Sequence, residues 1–374
     1  MKKTGSFPTW PQFNPKTTAR VAAILRNGRV SYWTGDEGRQ FETEFAAWLG
    51  APHALAVSNG TAALHLALEA LGVGAGDEVV CTPYSFIASS SCAINAGATP
   101  IYADVGADHM LNAETIEKVL SPRTKAIVVV HLFGQVADMG PILALARRRG
   151  LFVVEDCAQC LGGRYRGKKV GTLGDVGCFS FCQSKHFTTA GEGGMVCPKS
   201  AKVARLVRSL RDHGWKVGSQ PKTFERTGYN FRLTEIQSAV GRGELERLDS
   251  WNLPRRRALA TELIGGLFLS RWGKTLVRRW PVDTDEREAS FWLVPFVLDE
   301  KRLTCSVATF IEKLQAEGVG AYRIIWPLPK KLPRAARLMR TTLGFWVHPT
   351  YTTREIQADL AAFDRVAEAC VKRV

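Results

Sequence analysis

A lysine set in an aromatic run has the most chemistry to offer. Lys185 follows Phe179-Ser180-Phe181-Cys182-Gln183-Ser184 and precedes His186-Phe187, and Gly191-Glu192-Gly193-Gly194 closes the segment. The plain reading of such a lysine is a solvated loop residue. Desolvated in an apolar pocket, however, it loses its proton readily and becomes an amine able to form an imine. Phe179, Phe181 and Phe187 would supply that pocket, and the glycines would let the chain turn tightly behind it. Upstream, Glu155-Asp156 ends the apolar run Leu151–Val154. An acid there can be a metal ligand, a helix cap, or the partner of a protonated ring nitrogen. The last use fits an imine-forming lysine, because a carboxylate that keeps a pyridinium protonated lets the ring store a carbanion's electrons. A hydrogen bond to a charged group contributes roughly 1.5–3 kcal/mol. Ser58-Asn59-Gly60-Thr61-Ala62 is either an ordinary helix cap or a phosphate cradle, where glycine admits a ligand close to open amide donors. Together these pieces describe a pocket for pyridoxal 5′-phosphate.

The elements that must position them follow from an alternation of short apolar runs and amphipathic segments over residues 53–200. Strands are expected at 53–57, 78–82, 100–104, 126–131, 151–156, 177–181 and 194–198. Helices are expected between them at 61–71, 87–96, 113–119 and 141–149. Near-continuous apolar strands separated by helices imply an α/β fold, with a mostly parallel sheet covered on both faces. In such sheets ligands sit at the carboxyl ends of the strands, which is where the serine, the acids and the lysine fall. Gly38–Leu49 carries Phe41, Phe45 and Trp48 at helical spacing, as a core helix would. Further helices are expected at 200–212 and 234–248. Beyond a boundary near 250 come a strand at 291–298, a helix at 307–317, a strand at 344–347 and a closing helix from 353. The chain therefore divides into a cofactor-binding domain, 1–250, and a small C-terminal domain, 251–374.

A chain of 374 residues, 45% hydrophobic, can bury two cores. The start, with two lysines and no apolar run, is not a signal peptide, and no stretch is long and apolar enough to span a membrane. A cytoplasmic location is expected. The net charge of +15 would suit nucleic acid, an anionic surface or phosphorylated small molecules. The charge is dispersed, in short runs such as Arg147-Arg148-Arg149, which ends a helical pattern and is expected to be solvated, and Arg255-Arg256-Arg257, which lies inside another, and no nucleic-acid motif accompanies it. Nine cysteines show no secreted rhythm and read as free buried thiols. Cys157-Ala158-Gln159-Cys160 is formally C-x-x-C, yet a zinc or iron–sulfur site would need four converging thiolates, so no metal is expected. A nicotinamide dehydrogenase would need G-x-G-x-x-G after the first strand, and Asn59-Gly60-Thr61 lacks it.

An ordered series of motifs resembles the DegT/StrS family of sugar aminotransferases. It comprises Asn59-Gly60-Thr61-Ala62-Ala63-Leu64, Gly76-Asp77-Glu78-Val79, Arg123-Thr124-Lys125-Ala126-Ile127, Glu155-Asp156-Cys157-Ala158-Gln159 and Gly171-Thr172-Leu173-Gly174-Asp175. Phe179-Ser180-Phe181 with Lys185 and Gly191-Glu192-Gly193-Gly194 continues it, and Tyr229-Asn230-Phe231-Arg232-Leu233-Thr234-Glu235 ends it. The match covers about residues 30–260 and resumes weakly at His348-Pro349. The resemblance implies a fold-type-I enzyme with a seven-stranded sheet, acting as a homodimer with shared active sites. Lys185 matches the Schiff-base lysine and Asp156 the partner of the pyridine nitrogen. Gly60, Thr61, Ala62 and Ser180 match the phosphate site, Phe86 the aromatic stacked on the ring, and Gln159 a glutamine near the cofactor. Asn230 matches a residue reaching the cofactor phosphate of the neighbouring subunit.

The implied reaction moves an amino group from glutamate or glutamine to a keto-sugar, with pyridoxamine 5′-phosphate as the aminated form. Some relatives are sugar dehydratases with histidine in place of the lysine. Here Lys185 holds that position and His186 follows it, which favours amino transfer. Residues 265–345 match the family least. Trp272, Trp280, Trp292 and Trp326 there could stack on a sugar or pack in the core. Arg232, Lys330 and Lys331 could form a basic mouth for a nucleotide diphosphate, although a keto-cyclitol acceptor stays open. Arg232 could instead grip the donor carboxylate or form a structural ion pair.

Overall fold

The computed structural model describes residues 9–220, 222–323 and 332–372. In chain order its strands are β1 Leu55–Val57, β2 Glu78–Cys81, β3 Thr99–Tyr102, β4 Thr124–Val130, β5 Phe152–Asp156, β6 Arg164–Tyr165, β7 Lys168–Lys169, β8 Val176–Ser180, β9 Gly194–Pro198, β10 Val277–Arg279, β11 Arg287–Glu288, β12 Leu293–Leu298, β13 Ala321–Tyr322 and β14 Thr342–Trp346. The helices used below are α1 Pro15–Asn27, α2 Glu37–Leu49, α3 Gly60–Ala70 and α4 Ala88–Asn95.

Seven strands form the main sheet in the order β1-β9-β8-β5-β4-β2-β3. Pairings are parallel from β3 through β8, and β9 runs antiparallel to both of its neighbours. This is the mixed, mostly parallel seven-stranded α/β sheet expected. Side chains alternate across a strand, and the two cores divide on that alternation. Val80, Ile127, Val129, Val153 and Phe179 join one apolar cluster, whereas Val79, Cys81, Ala126, Val128, Val154 and Cys178 join the other. Helix α3 is buried on nearly every side, as an all-round apolar helix must be.

Residues after Leu253 build a second sheet, β10-β12-β14-β13, with its own core from Leu259 to Cys370. The long helix Leu253–Leu269 and the closing helix Thr353–Cys370 cover it. A small three-stranded sheet, β11-β6-β7, ties this region to the loop after β5. Trp292 and Leu293, at the head of β12, bury into the first core rather than their own. No helix among the described residues is long and apolar enough to cross a membrane.

Expected strands lie within one or two residues of the observed ones, while α1 and the short strands β6, β7, β10, β11 and β13 were not expected. Two- and three-residue strands are too brief for a period-2 pattern to register. The second arginine run is not wholly solvated, and Arg256 is its buried member. It is 1% exposed, and its guanidinium donates to Asn252 Oδ1 at 2.8 Å and to the carbonyls of Lys185 and His186 at 3.4 and 3.5 Å. Asn252 Nδ2 also donates to the His186 carbonyl at 2.5 Å. The helix that carries the run is thus bolted to the peptide behind Lys185.

Candidate active site

The carboxyl ends of the parallel strands open onto a cavity of about 700 Å³, well inside the range of small-molecule sites. β1 ends at Val57, and Asn59 caps α3 by accepting the Ala62 amide at 2.8 Å. The Ala63 amide returns to the Asn59 carbonyl. That leaves the amides of Gly60 and Thr61 as the open donors of the helix start, where an anion is favoured. Ser180, the last residue of β8, faces this turn. A Cβ on Gly60 would stand 2.7 Å from the Ser180 Cβ, so only glycine lets helix and strand end meet. Gly60, Thr61, Ala62 and Ser180 all line the cavity.

The two adjacent acids part company on strand alternation. Glu155 is fully buried on one side of the sheet. It accepts the amides of Gly171, Leu173 and Gly174 at 2.9, 2.7 and 2.7 Å and faces His131 Nε2 at 3.1 Å. Burial alone would raise its pKa, but His131 and the backbone donors outweigh burial and hold the carboxyl below the ordinary range. His131 Nδ1 accepts the Ala137 amide at 3.1 Å, so Nε2 carries the proton toward Glu155. Asp156 points to the other side and lines the cavity. Ser89 Oγ donates to its Oδ2 at 2.7 Å and the Ala158 amide to its Oδ1 at 3.1 Å, and Ser85 and Ser89 are themselves 2.8 Å apart. These bonds aim the carboxylate without neutralising it.

Lys185 also lines the cavity, as do Phe86 and Gln159. Burial pushes the lysine pKa down to about 8, opposed by the charges of Asp156, Cys182 and Glu192. A lowered lysine pKa means more free amine near neutral pH. The aromatic ring beside it is not one of the three phenylalanines expected. Phe181 stacks on Phe187 at 4.7 Å in the core beneath, against Phe41 and Phe45. Trp292 takes that place, with Lys185 Nζ 4.2 Å from its ring centroid. Phe86 is 49% exposed, an accessible ring on the cavity wall. Gln159 Oε1 accepts the Phe133 amide at 3.0 Å.

Two named residues lie away from this cavity's lining. Asn230 is exposed, bridging Asp212 on a neighbouring segment. Arg232 Nη1 pairs with Asp212 Oδ1 at 3.1 Å. Trp272 and Trp280 pack on the second core, and Trp326, Lys330 and Lys331 lie outside the described residues. Cys157, Cys160 and Cys178 are buried. Among the described residues the one cluster of three possible metal ligands is His131, Glu155 and Cys157, and the hydrogen bonds above already occupy the first two. Sequence reasoning missed the Ser85–Ser89 relay and the wall made by Tyr322, Trp346 and His65. The i, i+4 spacing of the serines was the only available signal.

The donor set fits pyridoxal phosphate. A helix start and a serine hydroxyl meet at one end of the cavity, a buried carboxylate lies at the sheet, and an amine of lowered pKa stands across from it. The sequence model of the DegT/DnrJ/EryC1/StrS aminotransferase family matches residues 11–358. The chain is 45% identical over 243 residues to the UDP-N-acetyl-3-dehydro-α-D-glucosamine 3-aminotransferase of Acidithiobacillus ferrooxidans, a stretch covering 63% of this chain and 64% of that enzyme. It is 45% identical over 352 residues to the GDP-perosamine synthase of Caulobacter vibrioides, covering 89% of this chain and 92% of that one. The crystal structure of Streptomyces venezuelae DesV in complex with a ketimine intermediate superposes with a TM-score of 0.85 at 33% identity, over 98% of this chain and 100% of that one. Fold, cavity and sequence agree: the chain belongs to the DegT/DnrJ/EryC1/StrS aminotransferase family, enzymes that work with pyridoxal phosphate.

Proposed function

We propose that the enzyme moves an amino group from glutamate or glutamine to a nucleotide-linked keto-sugar. The observation that carries this reading is the convergence of Lys185 Nζ, Asp156 and the α3 start on one cavity. Pyridoxal phosphate, when bound, supplies a carbonyl carbon for the amine and a protonated ring that accepts electrons from the adjacent bond. Gly60, Thr61 and Ser180 would hold its phosphate, Asp156 its ring nitrogen, and Phe86 and Gln159 its remaining surfaces. Lys185, released as the free amine, would take the proton from the donor's α-carbon as base and deliver it as acid two bonds away, to the carbon on the far side of the amino nitrogen. With a ketone as second substrate the same amine moves the proton in the opposite direction.

A nucleotide sugar as acceptor is supported by the strong positive charge and by the nucleotide-sugar enzymes that the chain resembles. The test loads the enzyme with its amino group and mixes it with keto-sugar nucleotides, free keto-sugars and keto-cyclitols. Charge-assisted hydrogen bonds contribute roughly 1.5–3 kcal/mol each. Losing two with the diphosphate should therefore lower kcat/KM for the free compounds at least about 100-fold. Equal or faster reaction of a keto-cyclitol would reassign the acceptor.

The same reading makes the working enzyme a homodimer, with domains 1–250 and 251–374 in each protomer. Exposed Asn230 then reaches the cofactor phosphate of the other protomer. Asn230→Ala should weaken cofactor retention about tenfold, the worth of one hydrogen bond, with the dimer intact by sedimentation. A monomer at micromolar concentration that keeps full activity would end this part of the proposal.

A further inference from the structure

Trp292 takes no part in the proton transfer assigned to Lys185, yet its ring centroid lies 4.2 Å from that amine. It is 4% exposed, and its orientation is set from three directions. Its Nε1–H donates to the carbonyl of Ser184 at 2.6 Å, so ring and lysine are tied to the same turn. Trp346 meets it edge-on at 5.4 Å and 88°, and Tyr322 at 6.1 Å and 67°. Its backbone is equally fixed. Phe291 holds φ 50°, the Ser290 amide donates to the Gly134 carbonyl at 2.8 Å, and a Cβ on Gly134 would stand 2.5 Å from the Trp292 nitrogen. A position that needs glycine opposite it and a left-handed residue before it is closely determined.

We propose that Trp292 is the resting ring of the Lys185 ammonium whenever the lysine is detached from the cofactor. The inference rests on the aminotransferase reading above. It adds a positioning residue that acts through Lys185. The indole face attracts a cation and gives nothing to a neutral amine. Trp292 therefore stabilises the protonated half of the lysine's cycle, after it has taken the substrate proton and before it returns it. The other groups that bear on Lys185 are Asp156 from β5, Cys182 from its own loop and Glu192 from the turn before β9. His186, the next residue, holds the Ser290 carbonyl at 3.3 Å, and Arg256 grips the Lys185 carbonyl from behind. Burial favours the neutral amine, whereas Asp156 and the indole face favour the ammonium. The ring is thus a counterweight that keeps the lysine able to hold a proton near neutral pH.

The test reads the lysine directly, in enzyme stripped of cofactor, through the rate at which it takes up pyridoxal phosphate as pH is varied. Only the free amine reacts, so the midpoint of that profile reports the Lys185 pKa, expected at about 8 in the wild type. Trp292→Leu removes the π face and should lower the midpoint by about one pH unit. Trp292→Phe keeps a π face but loses the Ser184 bond. It should hold the midpoint within about 0.3 units of wild type while slowing uptake. Should the leucine variant not fold, growth on fluorinated tryptophan weakens the ring's attraction at unchanged shape, and the midpoint should fall with each added fluorine. A wild-type midpoint in both the leucine and the fluorinated proteins would overturn the proposal. If wild-type enzyme took up no cofactor at all, the functional reading would fall instead, so the two failures are distinguishable.

Discussion

Replacing Lys185 with alanine should lower turnover by about 10⁴-fold, the upper range for a positioned acid–base group, and abolish the yellow colour of the lysine–cofactor linkage. Among the described residues Lys185 is the only lysine on the cavity. His65, the only histidine lining it among the described residues, is held by Glu69 at 3.4 Å, and burial lowers its affinity for a proton. His186 is turned to the Ser290 carbonyl, and burial holds its pKa well below the ordinary value. Burial also raises the pKa of Tyr322, leaving it a poor base. The variant should fold normally, because the deletion also removes the cost of enclosing an ammonium. A small primary amine such as methylamine should restore part of the rate, since the alanine leaves space where Nζ stood. The measurement is single-turnover amino transfer with and without that amine. A variant that transaminates at the wild-type rate would remove the lysine from the mechanism.

How far the sequence alone reaches can be judged on particular residues. The parallel strands were legible because strands buried on both faces read as continuous apolar runs, and β5 and β8 came within a residue. Period-2 alternation sends Glu155 and Asp156 to opposite faces of the strand, so only one of them can face a ligand. It could not say which, since that depends on which face α3 and α4 cover. Lys185 was legible from local pattern, but its aromatic neighbour was not. Phe179, Phe181 and Phe187 are close in sequence and turn into the core, while Trp292 arrives from more than a hundred positions away. The burial of Arg256 was illegible for a related reason. An arginine in a basic run looks solvated until tertiary contacts place its fork against the Asn252 side chain and two carbonyls. Local chemistry survives translation from sequence; contacts made across the fold do not.

The second large effect is expected at Asp156. Asp156→Asn keeps the shape and still offers an oxygen to Ser89, whose hydroxyl lies 2.7 Å from the present carboxylate. What it loses is the charge that, on the function proposed, would keep the cofactor's ring nitrogen protonated. Breaking one partner of a buried ionic pair costs about 3–5 kcal/mol. The expected loss in kcat is therefore on the order of 10³-fold, with cofactor still bound and visibly coloured. Removal of the donor's α-proton should then limit the rate, so α-deuterated glutamate should show a larger isotope effect with the variant than with wild type. The neighbouring acid supplies the contrast. Glu155 accepts three backbone amides and faces His131, and its pKa is held down in the folded state. The stability it contributes is present above the unfolded carboxylate pKa and is lost as pH falls through the lower, folded value. Glu155→Gln should accordingly lower the melting temperature and leave kcat per folded molecule nearly unchanged. Asp156→Asn should do the reverse, because one acid fastens the sheet to its loops and the other faces the chemistry. An Asp156→Asn enzyme with wild-type kcat, or a Glu155→Gln enzyme that melts normally but cannot transaminate, would exchange their roles.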